Sequence, residues 1–141
     1  MAESDFYTLS GYERREPPGQ LSPAMEDYLE MICRQAREDG FARVNLLARS
    51  LNVAPSSSSK MVGKLRELGL VEFPRYGVVL LTAEGRRAGE YLLYRHNLLH
   101  RFFCRLNGTL DELEQVEKIE HFISHATLRG MEKWLREHPD E

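Results

Sequence analysis

Two short helical segments separated by a tight turn constrain the fold of this 141-residue chain most strongly. Residues 44–51 have an amphipathic helical pattern, a turn follows at 52–54, and a second helical pattern opens at Pro55. Two β-rich runs come next, at 70–73 and 78–81, joined by a Pro- and Gly-containing segment typical of a hairpin. This order predicts a winged helix-turn-helix within a mainly α fold.

Helical patterns also lie on both sides of this motif. Ser22 and Pro23 have the N-cap and first-turn chemistry of a helix that ends near Gly40. A long helix is expected from Thr82 to Asn107, with two more at about 110–123 and 125–137. Their apolar faces exceed what one small domain can cover, so a homodimer is expected. The predicted units are a flexible N-terminal arm (1–21), a winged helix-turn-helix domain (22–82) and a helical dimerisation domain (83–141).

Charge is unevenly distributed along the chain. The formal net charge is −3, yet residues 43–105 contain eleven basic and four acidic residues, and the excess acids lie before and after them. A basic segment on an acidic protein predicts a localised surface for a polyanion, here double-stranded DNA. The alternative is an ordinary solvated helical surface.

The second helix of the motif begins with the run PSSSSK, which suits DNA contact. Serine weakens a helix interior, whereas its short hydroxyl reaches phosphates or base edges when a recognition helix enters the major groove N-terminus first. Basic side chains nearby can bind the backbone. The alternatives are a solvated helix cap and ordinary surface arginines. The expected DNA-contacting residues are Arg43, Ser56, Ser57, Ser59, Lys60, Lys64 and Arg75.

Carboxylates and imidazoles recur at helical spacing in three separate segments. Residues three or four apart share a helix face, which groups Glu117, Glu120 and His121 near the C-terminus and Asp27 with Glu30 in the first helix. If the first helix packs against the C-terminal unit, these residues could converge with His96. Such an oxygen-rich set suits divalent manganese or iron. Taken singly, the acids could be first-turn residues favoured by the helix dipole, and His96 a hydrogen-bonded interface residue.

Other features restrict the class of protein. Cys33 and Cys104 lie far apart without a CxxC pair, which predicts buried free thiols in a reducing cytoplasm. No apolar run reaches membrane-spanning length and the N-terminus lacks the layout of a signal peptide, so a cytoplasmic protein without a membrane partner is expected.

Five stretches together resemble the diphtheria-toxin-repressor family of metal-dependent regulators, most closely its manganese-responsive branch. They are MEDYLEMI, FARVNLLARSLNVAPSSSSKMVGKL, GVVLLTAEG, LLYRHNLLHRF and VEKIEH, in family order from about Ser22 to the last helices. The resemblance implies a manganese-activated repressor of metal-uptake genes with two Mn²⁺ per chain, bridged by Glu30 and Glu120. The predicted C-terminal unit, 83–141, is therefore a dimerisation and metal-binding domain. The implied ligands are Asp27, Glu30, His96, Glu117, Glu120 and His121.

The same resemblance leaves an iron-responsive repressor as the alternative. The iron-responsive branch typically has methionine where this chain has Asp27 and cysteine where it has Glu117, so the oxygen donors here favour Mn²⁺, with Fe²⁺ possible. A di-metal carboxylate enzyme is the rival from another class, but its Glu-x-x-His signature is absent and no enzyme is expected. A third hypothesis is a metal-free winged-helix regulator that senses an organic ligand.

Overall fold

The computed structural model describes residues 21–140. The predicted arm, 1–21, lies outside these residues except for Leu21, which is half-buried against the N-terminal core. The described chain is mainly helical, with a small antiparallel sheet. Its elements are α1 Pro23–Asp39, β1 Ala42–Arg43, α2 Val44–Leu51, α3 Pro55–Glu67, β2 Val71–Glu72, β3 Val78–Leu81, α4 Ala83–Asn107, α5 Leu113–Ile119, a 3₁₀ turn Glu120–Phe122 and α6 His125–Glu137.

Helix α1 begins and ends where local chemistry requires. The Met25 N–H donates to Ser22 Oγ at 3.2 Å, and Pro23, which has no N–H to satisfy, occupies the first turn. At the other end Gly40 adopts a left-handed conformation (φ +83°), and its N–H donates to the Ala36 carbonyl. Both predicted boundaries of this helix are therefore confirmed.

The wing is a three-stranded sheet, one strand more than the predicted hairpin. Its order is β1-β3-β2, with Ala42 opposite Val79 and Val71 opposite Leu81. The additional strand β1 has only two residues, too few to form a recognisable alternating pattern. It forms because the second edge of β3 offers backbone groups that need partners.

Two hydrophobic cores organise the described helices. The first core lies between α1, α2, α3 and the sheet, and the second between α4, α5 and α6. Within the described residues, no helix is both long and apolar enough to cross a membrane. The first core contains Tyr28, Ile32, Ala42, Val44, Leu47, Val62, Leu65, Val71 and Val79, and the second contains Leu98, Leu99, Phe103, Val116, Leu128 and Leu135.

Two glycines allow α4 to approach the N-terminal unit closely. A Cβ at Gly85 would lie 1.8 Å from the Leu70 carbonyl oxygen, and one at Gly89 would lie 2.9 Å from the Cβ of Cys33. Helix α1 therefore packs directly on α4. Cys33 is buried as predicted, whereas Cys104 is only half-buried, and both are free thiols.

Helix α5 is shorter than the predicted helix over 110–123. The Asp111 carboxylate accepts from the Leu113 N–H at 2.9 Å, so the regular helix starts there. At Glu120 the backbone tightens into the 3₁₀ turn, and at Ile123 it becomes extended before Ser124 caps α6. This turn changes the directions in which Glu120 and His121 point.

Candidate metal centre and DNA-binding surface

The six predicted metal ligands meet where α1, α4, α5 and the 3₁₀ turn come together. Helix α1 brings Asp27 and Glu30, and α4 brings His96. The contact between Gly89 and Cys33 holds α1 and α4 close together beside the centre. Cys33 lies three residues after Glu30, and Gly89 lies seven residues before His96. Each therefore shares a helix face with the ligand on its own helix. Glu117, Glu120 and His121 come from α5 and the turn that follows it.

One half of the centre is formed by Glu30, His96 and Glu120, all three buried. His96 Nδ1 lies 2.9 Å from Glu120 Oε2 and 3.6 Å from Glu30 Oε1. Glu30 is also bound by Arg34, whose Nη2 is 3.0 Å from Oε1. The three residues offer ligand atoms that lie within 4.8 Å of one another, a spacing that one cation could occupy.

The other half is formed by Asp27, Glu120 and His121, whose ligand atoms also lie within 4.8 Å of one another. His121 Nε2 is 2.9 Å from Asp27 Oδ1. Asp27 is more exposed than His121, so this half opens toward solvent on the α1 side. Glu120 is the residue that the two halves share, whereas Glu30 belongs to the first half alone.

Glu120 provides the strongest reason to expect cations here. Its side chain is 0% exposed, and its Oε1 has no hydrogen-bond partner among the described residues. Burying a carboxylate oxygen without a hydrogen-bond donor reduces the stability of the folded chain by roughly several kcal/mol, unless a cation binds the oxygen. The buried, unpartnered oxygen and the surrounding nitrogen and oxygen donors therefore fit a divalent cation.

Glu117 lies at the rim of the centre. Its Oε1 is 3.6 Å from His96 Nδ1, but its side chain is 55% exposed, unlike that of Glu120. The sequence-based expectation that Glu117, Glu120 and His121 point the same way holds only in part, because the 3₁₀ turn directs Glu120 inward and His121 toward α1.

Proton affinities at the centre follow from burial and from close charges. Hydrogen bonds to Asp27 and Glu26 raise the pKa of His121 to about 9. The hydrogen bond to Glu120 raises the pKa of His96, and burial together with the Glu120 charge raises the pKa values of Glu30 and Glu117. All four groups therefore hold protons more tightly than usual, so protons compete with metal for these ligands.

Two further residues support His121 and were not selected from the sequence. His121 Nδ1 lies 2.8 Å from Glu26 Oε1, and the Arg95 guanidinium lies 3.3 Å from both carboxylate oxygens of Glu26 and from the same Nδ1. This carboxylate on the second ring nitrogen orients the imidazole and leaves Nε2 toward Asp27. Arg95, which contributes to the basic excess in the sequence, is buried in this pair and takes no part in the basic surface.

The serines of α3 divide between surface and core. Ser56, Ser57 and Ser59 are exposed, as are Lys60 and Lys64. Ser58 has the same chemistry but is fully buried, so it cannot contact DNA, and its Oγ has no partner among the described residues. No side chain caps α3, because its N-cap residue is alanine. The first-turn N–H groups are consequently available to an anion.

The two predicted arginines lie near the same end of the wing, because Arg43 is opposite Val78 in the sheet and the Val78 N–H donates to the Arg75 carbonyl. Arg43 is exposed, and its guanidinium stacks over the Phe41 ring at 5.0 Å from the centroid, which holds the charge in place. Arg75 is exposed in the β2–β3 connection. Both arginines remain accessible to a polyanion.

Comparison with known proteins identifies both halves of the chain. Residues 20–79 match the model described as "Iron dependent repressor, N-terminal DNA binding domain". Residues 82–141 match "Iron dependent repressor, metal binding and dimerisation domain". The two matches cover the helix-turn-helix with its wing and the helices that surround the candidate metal centre.

Individual relatives agree with these matches. The HTH-type transcriptional regulator MntR of Geobacillus kaustophilus (strain HTA426) is 44% identical over 105 residues, covering 73% of this chain and 74% of the relative. The regulator of the same name from Shouchella clausii (strain KSM-K16) is 45% identical over 105 residues, covering 73% of each.

A solved structure described as a manganese-dependent transcriptional repressor complex with manganese superimposes with a TM-score of 0.70 at 31% identity. The match covers 79% of this chain and 52% of that longer chain, so this chain spans about half its length. The winged fold, the buried carboxylate-imidazole centre and these matches lead to one conclusion. The chain belongs to the iron-dependent repressor family of metal-dependent, DNA-binding transcriptional regulators.

Proposed function

We propose that this protein is a manganese-responsive repressor that binds the operators of metal-uptake genes when it holds two Mn²⁺ ions per chain. The observation that carries the proposal is the shared buried Glu120 between two donor clusters that contain only nitrogen and oxygen. Oxygen-rich donor sets favour the harder divalent ions, of which Mn²⁺ is one. The names of the relatives point the same way.

The proposed ligands are the six residues of the centre, with Glu120 shared between the two ions. A bound divalent cation would supply the positive charge that the buried, unpartnered oxygen of Glu120 lacks. Asp27, Glu30 and His96 would contribute from α1 and α4, and Glu117 from the rim. Glu26 and Arg95 would hold His121 in the orientation in which Nε2 is the ligand atom.

Metal binding would act on DNA binding through α1. This helix packs in the first core with α3, the second helix of the helix-turn-helix. It also contributes Asp27 and Glu30 to a centre whose other ligands come from the C-terminal unit. A metal ion bound by ligands from the N-terminal and the C-terminal unit would favour one relative placement of the two copies of α3 in a dimer. Only some placements match half-sites about one helical turn, or a multiple, apart.

For DNA binding, α3 is the proposed recognition helix, the helix that enters the major groove. Ser56, Ser57 and Ser59 would contact phosphates or base edges, and Lys60 and Lys64 would bind the backbone. Arg43 and Arg75 would bind flanking phosphates. We keep the predicted domain division at Thr82, and we expect the protein to work in the cytoplasm, where its operators are.

A DNA-binding titration on a candidate uptake promoter tests the proposal. The same protein is titrated in chelator and in excess manganese at constant ionic strength, because salt alone changes such affinities strongly. We expect specific binding to be at least tenfold tighter with manganese. Equal affinity under both conditions contradicts the proposed mechanism.

An iron-responsive repressor is the second candidate, because the family models carry that description. Exchanging both branch-specific donors, Asp27→Met with Glu117→Cys, introduces sulfur ligands that suit manganese poorly. We predict that the exchange raises the activating concentration of Mn²⁺ at least tenfold more than that of Fe²⁺. The measurement is anaerobic titration of DNA binding with each metal, with Glu114→Cys as the exposed control on α5. Unchanged relative midpoints would mean that these two residues do not set selectivity.

A further inference from the structure

The tip of the wing contains an unfavourable backbone conformation. The Val78 N–H donates to the Arg75 carbonyl at 3.1 Å, and the two residues between them, Tyr76 and Gly77, have φ values of +59° and +72°. Two successive central residues with positive φ are the pattern of a type I′ turn. Such turns prefer asparagine, aspartate or glycine at both places.

Tyrosine is a poor choice at the first of these positions. Its Cβ crowds the backbone when φ is positive, which costs about 1 kcal/mol or more. Among the described residues, Asn52 is the other non-glycine residue with positive φ, and asparagine tolerates this conformation. Tyr76 has no such tolerance.

The protein fold gains little from the Tyr76 ring in return. Tyr76 is 90% exposed, which makes it the most exposed aromatic residue in the described part of the chain. Strained backbone and an exposed aromatic ring at one position indicate a role outside the fold, because strain of this kind persists where a function needs the side chain.

The surroundings of Tyr76 indicate which partner it meets. Its neighbour Arg75 is exposed and basic, and the turn belongs to the unit that matches the family's DNA-binding domain. A tyrosine ring packs on deoxyribose, and its hydroxyl donates to a phosphate oxygen. We propose that Tyr76 contacts DNA, with its ring against the sugar-phosphate backbone that flanks the half-site read by α3.

This inference rests on the proposed function, because it requires α3 in the major groove. It predicts opposite changes in two properties. Tyr76→Asn relieves the backbone strain, so Tm should rise by about 2–4 °C. The same change removes the ring, so affinity for the operator in excess manganese should fall about tenfold. If Tyr76 served only the fold, the Tyr76→Asn variant would have a lower or unchanged Tm and a lower or unchanged affinity for the operator.

Two further variants separate the ring from the hydroxyl and the position from general surface change. Tyr76→Phe keeps the ring and the strain, so it should lose only about threefold in affinity and leave Tm unchanged. Leu68→Asn removes another exposed apolar side chain from the same unit, at the far end of α3, and should leave DNA affinity unchanged.

A photo-crosslinking benzophenone side chain at position 76 gives a direct readout. With manganese and operator DNA, we expect crosslinks to the strand that flanks the half-site, and none from the same group at position 68. Wild-type affinity in Tyr76→Asn, or absence of the crosslink at position 76, would overturn the inference. Failure of the wild type to bind DNA with manganese would instead overturn the proposed function, so the two failures are distinguishable.

Discussion

His121 is the residue at which proton and metal binding meet most directly. Asp27 lies against one ring nitrogen and Glu26 against the other, and together they raise its pKa to about 9. At neutral pH the metal-free ring is therefore an imidazolium with both N–H groups donated. Because Nε2 must lose its proton before it can be a ligand, metal uptake by this residue releases a proton.

We predict that the metal-free protein loses stability as the pH rises from 6.5 to about 9. The pKa of His121 is higher in the folded chain than its ordinary 6.5, so its stabilising contribution is complete below pH 6.5 and is lost as the pH passes through about 9. The raised pKa of His96 adds a change of the same sign. Thermal unfolding in chelator across this interval measures the effect.

His121→Gln removes the titrating ring, so it should flatten this pH dependence. His138→Gln is the matched control, since His138 stacks on Trp134 outside the centre and should leave the dependence intact. A melting temperature that stays constant or rises over the interval in the wild type would contradict the assignment of these charges.

Ser58 provides a second test at the scale of a single residue. Its buried hydroxyl has no partner within the described structure, and serine is a weaker helix former than alanine. We predict that Ser58→Ala raises the free energy of unfolding by about 1 kcal/mol and leaves DNA affinity unchanged. Chemical denaturation and operator binding measure the two quantities. Ser57→Ala, at an exposed neighbour, should weaken DNA binding instead, and equal losses in both variants would refute the division between core and surface serines.

At the scale of elements, α3 carries the proposed phosphate contacts of Lys60 and Lys64. Each phosphate contact contributes roughly 0.9 to the slope of log K against log salt. We predict that the double variant Lys60→Ala, Lys64→Ala weakens operator binding and lowers this slope by about 1.8. Fluorescence anisotropy at several salt concentrations gives the slope, and Lys133→Ala on α6 is the control. An unchanged slope would mean that residues other than Lys60 and Lys64 bind the DNA phosphates.

At the scale of the whole molecule, the C-terminal unit presents apolar side chains that the described chain does not cover. Leu110 is 97% exposed, and Leu106 and Leu113 beside it are also exposed. Because this unit matches a dimerisation domain, a second copy is the partner that would cover them. The proposed binding of two α3 helices to two half-sites would require this pairing.

We predict that Leu110→Glu weakens the dimer and operator binding together. A charge placed at an apolar interface must be desolvated when the copies associate, which should raise the dimer dissociation constant at least tenfold. Analytical ultracentrifugation measures the dimer, and Leu46→Glu on α2 serves as an exposed apolar control in the other unit. A fully dimeric Leu110→Glu variant would show that another face forms the interface.

Local sequence chemistry by itself determined the boundaries of α1 and the start of α4. Ser22, Pro23 and Gly40 define α1, and Thr82 caps α4 through the Gly85 N–H, because caps and left-handed residues act within one turn. The family and the set of six candidate ligands could also be predicted, since both depend on residue types in a fixed order.

Tertiary packing alone decided how those residues are used. The strand β1, the burial of Ser58 and the pairing of Arg95 with Glu26 depend on contacts between segments far apart in the chain, which no local pattern reports. The 3₁₀ turn buried Glu120 between two clusters and left Glu117 at the rim, although both looked equivalent on an ideal helix. Burial sets the energy of a charge, and burial is a property of the folded chain rather than of the sequence order.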